Sequence, residues 1–273
     1  MGFTFVDRIS AIDSDRACGE LHAARHESLP PWLLIEAVGQ LAAWAAMLRA
    51  DFATRPVAAL VPNVQLSGGE AGSVVELEAR IERFDGRAVL YSGTARSDGA
   101  DLAVLSRCVG PLLPMETFDD PATVRRRFEA LCSARPADVA RAEPRAIPRP
   151  LLSACERDGD TARARLQIPD AAPFFSEHFP RFPVYPAVLL ADAQHQIAAP
   201  LAAHLLGVAP EAVRTSAVID FKVRAFSPPG QMLDLVATSR TVDADGAHIA
   251  IAALADGKRV ATGMLAYRPA SST

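Results

Sequence analysis

The chain has 273 residues, 50% hydrophobic and 22% charged, with a formal net charge of −4. This balance fits a globular protein with substantial cores, long enough for two ordinary domains, and leaves no basic footprint for nucleic acid. Four cysteines (Cys18, Cys108, Cys132 and Cys155) lack metal-ligand spacing, so reduced thiols in a cytoplasm are expected.

The opening residues lack a charged stretch followed by an apolar run, so no signal peptide is expected. Residues 3–13 alternate as a strand does, and Asp13-Ser14-Asp15 marks a turn. Residues 17–28 mix strand and loop signals. Pro30-Pro31 then opens a long helix from Trp32 to about Arg49, apolar nearly all round. Glu36 and Gln40 inside it, and Arg49 and Asp51 at its end, favour a buried helix over a membrane span. Strand signals come next near 57–66, 73–84, 87–97 and 101–110, with Gly68-Gly69, Asp85-Gly86 and Asp98-Gly99 as turns. One long helix against an antiparallel sheet is the first domain, 1–115.

The composition shifts between Pro114 and Pro150. Residues 119–134 form a charged helix carrying Arg125-Arg126-Arg127, and Pro136, Pro144, Pro148 and Pro150 interrupt the remainder of this stretch. We read 116–149 as a semi-rigid linker. The three arginines suit a solvated helix face, or a docking patch for an acidic carrier protein. The second domain, 150–273, repeats the plan. Strand signals over 151–169 turn at Asp158-Gly159, a proline-rich loop and helix run from 174 to 206, and further strands lie near 214–226, 231–243, 246–255 and 258–268.

One spacing occurs in both halves. His22 precedes Glu36 by the same interval that separates His178 from Asp192, and a proline stands eight residues after each histidine (Pro30 and Pro186). The helices read Trp-Leu-Leu-Ile-Glu-Ala-Val-Gly-Gln and Val-Leu-Leu-Ala-Asp-Ala-Gln-His-Gln. Singly, a loop histidine suits structural hydrogen bonding and an early-turn carboxylate suits the helix dipole. Their recurrence indicates an internal repeat of about half the chain.

The second copy, His178-Phe-Pro-Arg-Phe-Pro-Val-Tyr-Pro-Ala-Val-Leu-Leu-Ala-Asp192-Ala, resembles the β-hydroxyacyl-acyl-carrier-protein dehydratase family over about twenty residues. It departs at Glu177, Arg181 and Ala187, where that family has glycine. The resemblance implies an α+β double hotdog in which a long central helix is wrapped by an antiparallel β-sheet in each half. It also implies dehydration of 3-hydroxyacyl thioesters carried by acyl carrier protein or coenzyme A, with no metal or redox cofactor. In such proteins the histidine of one unit faces the acid of the other, so the sites are paired across the halves. His178 is the expected base and Glu36 the expected acid, with backbone N–H donors at Ala187 and Trp32. His22 and Asp192 make a second, degenerate site whose two side chains satisfy each other, because Pro31 has no N–H there. The two units already form a pseudo-dimer, and further self-association stays open. The competing readings are a thioesterase on the same fold and a non-catalytic acyl-binding or partner subunit.

Overall fold

The computed structural model describes residues 3–26, 29–140 and 149–270. The first half contains strands β1 (Arg8–Ile12) and β2 (Arg16–His22), helix α1 (Pro31–Arg49), and strands β3 (Thr54–Pro56), β4 (Leu60–Leu66), β5 (Val74–Phe84), β6 (Ala88–Ser97) and β7 (Ala100–Pro114). Helices α2 (Pro121–Ser133) and α3 (Pro136–Ala140) come after them. The second half contains β8 (Leu152–Asp158), β9 (Thr161–Gln167), α4 (Phe175–His178), α5 (Ala187–Leu206), β10 (Val213–Val223), β11 (Met232–Asp243), β12 (Gly246–Ala255) and β13 (Lys258–Pro269).

The strands join into one antiparallel sheet in the order β1-β2-β5-β6-β7-β4-β10-β13-β12-β11-β9-β8, with β3 added on β7. Each half therefore presents the same strand order, reversed about the β4–β10 junction, where Val64 pairs with Val218. Local chemistry sets the hairpins. Asp98-Gly99 and Asp256-Gly257 both place two successive residues at positive φ, the turn geometry that matches strand twist. Alternate residues of β5 (Val75, Leu77, Ala79 and Ile81) are buried against α1, and alternate residues of β12 point inward in the same way. Each half is thus a long helix wrapped by an antiparallel sheet, and the two form a double hotdog.

Helix α1 is long and apolar enough to cross a membrane. Here Leu33, Val38, Leu41 and Ala45 are instead buried in the core. The fit of α1 to the sheet is close at Gly93 on β6. A Cβ there would lie 2.5 Å from Val38 Cγ1 and 2.4 Å from the Glu78 carbonyl oxygen.

Several boundaries differ from the sequence reading. The expected opening strand is β1 alone, and Phe3 and Phe5 are held by side chains: their N–H groups donate to Glu177 (2.6 Å) and Gln40 (2.8 Å). The expected strand over 57–66 is β4, with the short β3 ahead of it. The expected linker is in part a packed element. Asp120 caps α2 by accepting from the Thr123 N–H at 2.7 Å, and Val124 and Phe128 pack with Met47, Phe52 and Met115 of the first half. Pro144 and Pro148 lie outside the described residues. The three arginines are engaged within the chain: Arg125 with Asp51, Arg126 with the Thr123 hydroxyl, and Arg127 with buried Asp119.

Gly93→Ala should lower stability by about 1–3 kcal/mol through overpacking, read as a lower urea midpoint. An unchanged midpoint would mean that α1 does not lie this close to the sheet.

Candidate active site

Helices α1 and α5 pack against each other inside the sheet, with the Trp32 and His195 ring centroids 5.0 Å apart, and early residues of both line one cavity. The segment before α5 is fixed by its prolines and by backbone hydrogen bonds. Arg181 N–H donates to the Phe118 carbonyl (3.0 Å) and Tyr185 N–H to that of Ser227 (2.8 Å). His178 ends α4, its N–H bonded to the Phe174 carbonyl at 2.8 Å. Its imidazole stacks on Phe179 with centroids 4.1 Å apart, and the Phe3 ring meets it edge-on at 5.3 Å.

Glu36 projects from the second turn of α1 and accepts from Gln40 Nε2 at 2.9 Å. Gln40 also accepts from the Phe5 N–H and donates to the Phe3 carbonyl at 3.2 Å, so the N-terminal segment fixes its orientation. His178 and Glu36 line one cavity of about 220 Å³, walled mainly by apolar groups such as Ile35, Ala43, Val188 and Leu190. No hydrogen bond joins the two side chains. Ala187 and Trp32 line the same cavity, in the first turns of α5 and α1, where N–H groups have no intrahelical acceptor.

The cavity displaces the two titrations in opposite directions. Burial, with a lesser contribution from Arg55, lowers the His178 pKa from 6.5 to about 3. Burial raises that of Glu36, against smaller opposing effects from Gln40 and Arg55. At neutral pH the imidazole is therefore neutral and available as a base, and the carboxyl is biased toward its acid form.

The second expected constellation does not assemble. His22 was assigned because its interval to Glu36 equals that from His178 to Asp192, and Asp192 also by the family resemblance, but the two intervals take different paths. His22 ends β2, paired with Val74, and α1 begins soon after at Pro31. In the other half β9 ends at Gln167, and a long loop carrying α4 intervenes before α5. His22 is thus the last residue of a strand and precedes a short 3-10 turn (Ala23–Arg25), whereas His178 ends α4. Its Nε2 lies 3.4 Å from Glu20, and its N–H donates to Asp7 at 2.9 Å. Asp192 instead faces Gln196 at 3.4 Å, and neither residue lines the cavity. The expectation that they satisfy each other is replaced by separate partners. Glu27 and Ser28 of the intervening stretch lie outside the described residues.

Sequence reasoning missed Gln40, Arg55 and Tyr91. Gln40 carried a signal, because a glutamine four residues after the acid recurs as Gln196 after Asp192, the spacing that meets on a helix face. Tyr91 on β6 lines the cavity, and a Cβ at Gly39 would lie 3.3 Å from its hydroxyl. Nothing in the sequence singled out Tyr91, or Arg55 on the three-residue β3.

Comparison with known proteins agrees with this architecture. Solved structures cover nearly the whole chain at low identity and show the hotdog fold. A putative oleoyl thioesterase from Lactobacillus plantarum is 13% identical with a TM-score of 0.60, over 94% of this chain and 97% of its own. An acyl-ACP thioesterase from Bacteroides thetaiotaomicron is 13% identical with a TM-score of 0.56, over 93% and 98%. A hot dog fold protein of unknown function from Alicyclobacillus acidocaldarius is 13% identical with a TM-score of 0.52, over 98% of each chain. No curated protein matches the chain by sequence. The family model described as ApeI dehydratase (ApeI-like) matches residues 154–263. The chain is therefore a hotdog-fold protein, and residues 154–263 of its second unit match the ApeI-like dehydratase model.

The displaced His178 titration has a sign that can be checked. The unfolded chain takes up the proton first, so this contribution to stability is complete above about pH 6.5 and is lost as pH falls toward 3. Nitrogen-15 spectra of the histidines at pH 5 should show a neutral His178 ring. A protonated His178 at that pH would contradict its burial.

Proposed function

We propose that the protein reversibly dehydrates 3-hydroxyacyl thioesters to trans-2-enoyl thioesters, with one working site made by both halves. The observation that carries this reading is the placement of His178 and Glu36 in one apolar cavity, with the base neutral and the acid biased toward protonation. His178 takes the proton at C2. The electrons of that bond form the C2–C3 double bond as the C3–O bond breaks, and Glu36 protonates the departing hydroxyl, which leaves as water. In this reading the Ala187 N–H, at the positive end of α5, donates to the thioester oxygen as charge develops on it, with Trp32 N–H as the counterpart on α1. The apolar wall receives the acyl chain, which reaches past Ala43 and Met47 of α1 to Val124 and Leu131 of α2.

The match of residues 154–263 to a dehydratase family model supports this reading over hydrolysis. We assign the substrate to an acyl carrier protein, as in cytoplasmic fatty-acid or polyketide-like synthesis. A comparison of carrier-protein and coenzyme A thioesters tests that assignment.

Hydration of a trans-2-enoyl thioester, measured by loss of enoyl absorbance, should fall on the order of a hundredfold or more in His178→Ala. Glu36→Gln should be similarly impaired, whereas His22→Ala and Asp192→Asn should retain activity. No turnover by the folded wild-type protein on either carrier would overturn the proposal, and release of free thiol would support a thioesterase instead.

A further inference from the structure

Arg55 is a cation in the wall of this cavity for which the acid–base chemistry has no use. It lies on β3, and its guanidinium carbon sits 4.7 Å from the Phe179 ring centroid, the ring on which His178 stacks. Among the described residues no hydrogen bond or ion pair engages its side chain, although a guanidinium carries five donors. The charged groups that act on it are Asp119, Arg127 and Glu36. Asp119 is already taken, accepting from Arg127 at 2.7 Å and from the Asp120 N–H at 2.8 Å. Glu36 is biased toward its neutral form, and Glu177, the other carboxylate in the cavity wall, accepts from the Phe3 N–H. Burial lowers the Arg55 pKa only to about 10, so the side chain remains charged at neutral pH. A half-buried cation with unused donors in a largely apolar cavity gains most from a ligand that supplies an anionic oxygen in place of water.

We propose that Arg55 binds an anionic oxygen of the acyl thioester and, taking the dehydratase reading as given, that this oxygen is the thioester carbonyl as it becomes an enolate. When the C2 proton passes to His178, the electron pair of that bond delocalises onto the carbonyl oxygen. Arg55 stabilises it through N–H···O bonds without giving up a proton. The pair then returns to form the double bond as Glu36 protonates the leaving hydroxyl. Arg55 thus works beside the Ala187 N–H, as a charged donor where the family's usual glycine is replaced by Ala187. The same chemistry would also receive a permanent anion, such as a carboxylate or phosphate carried by the substrate.

The test has two arms, both run on Arg55→Met and Arg55→Lys with circular dichroism as the folding control. The first needs no turnover. Trp32 and Trp44, the two tryptophans of the chain, both line the cavity, so their fluorescence reports filling. Wild type should bind decanoate at least about tenfold more tightly than decan-1-ol; Arg55→Met should lose that preference, and Arg55→Lys should keep most of it. The second arm is enoyl hydration. A fall in kcat of about a hundredfold with KM unchanged identifies the enolate, whereas a raised KM with kcat unchanged identifies a permanent anion. A folded Arg55→Met protein with wild-type decanoate preference and wild-type kinetics overturns the proposal. If the wild type lacks hydratase activity but shows an Arg55-dependent preference for decanoate, the dehydratase reading fails and the anion site stands.

Discussion

The antiparallel pairing of β4 with β10 joins two half-sheets into one surface, and the placement of α1 and α5 depends on it. Because the sheet runs continuously through that junction, the two helices lie together inside it. Residues from the first turns of both helices line one apolar cavity, so groups from opposite halves share it. A single half would leave His178 without Glu36. Gly93 permits the close approach of the helix to the sheet at Val38.

Burial then differentiates the side chains it encloses. The same loss of solvent holds an imidazole neutral and drives a carboxyl toward its acid form, so one apolar environment prepares a base and an acid together. Gln40 adds position to this: it holds Glu36 while gripping the backbone at Phe3 and Phe5, and Phe3 in turn packs on His178. The N-terminal segment is thereby part of the site and ties the two halves at the place where the chemistry is proposed.

Much of this was legible in the sequence because it is written in local patterns. The apolar run after Pro31, the Asp-Gly turns and the His-Phe-Pro loop each have a local physical cause, and they gave the double helix-on-sheet plan. The interval repeated from His22 to Glu36 and from His178 to Asp192 misled because intervals count residues and ignore path: one starts at the end of a strand, the other at the end of the short helix α4. The packing of α2 on Met47 and Phe52 was hidden by its charged face. Arg55 and Tyr91 reach the cavity only through long-range strand pairing, which no local pattern records.

The central claim is proton chemistry at C2 of an intact thioester. Reaction of a trans-2-enoyl thioester in deuterium oxide, read by mass spectrometry, addresses it directly. Addition of water at the proposed site predicts a 3-hydroxyacyl thioester carrying one deuterium at C2, with the thioester bond unbroken. Free thiol together with an unlabelled 2-enoic acid would contradict it and would make the cavity a site of hydrolysis.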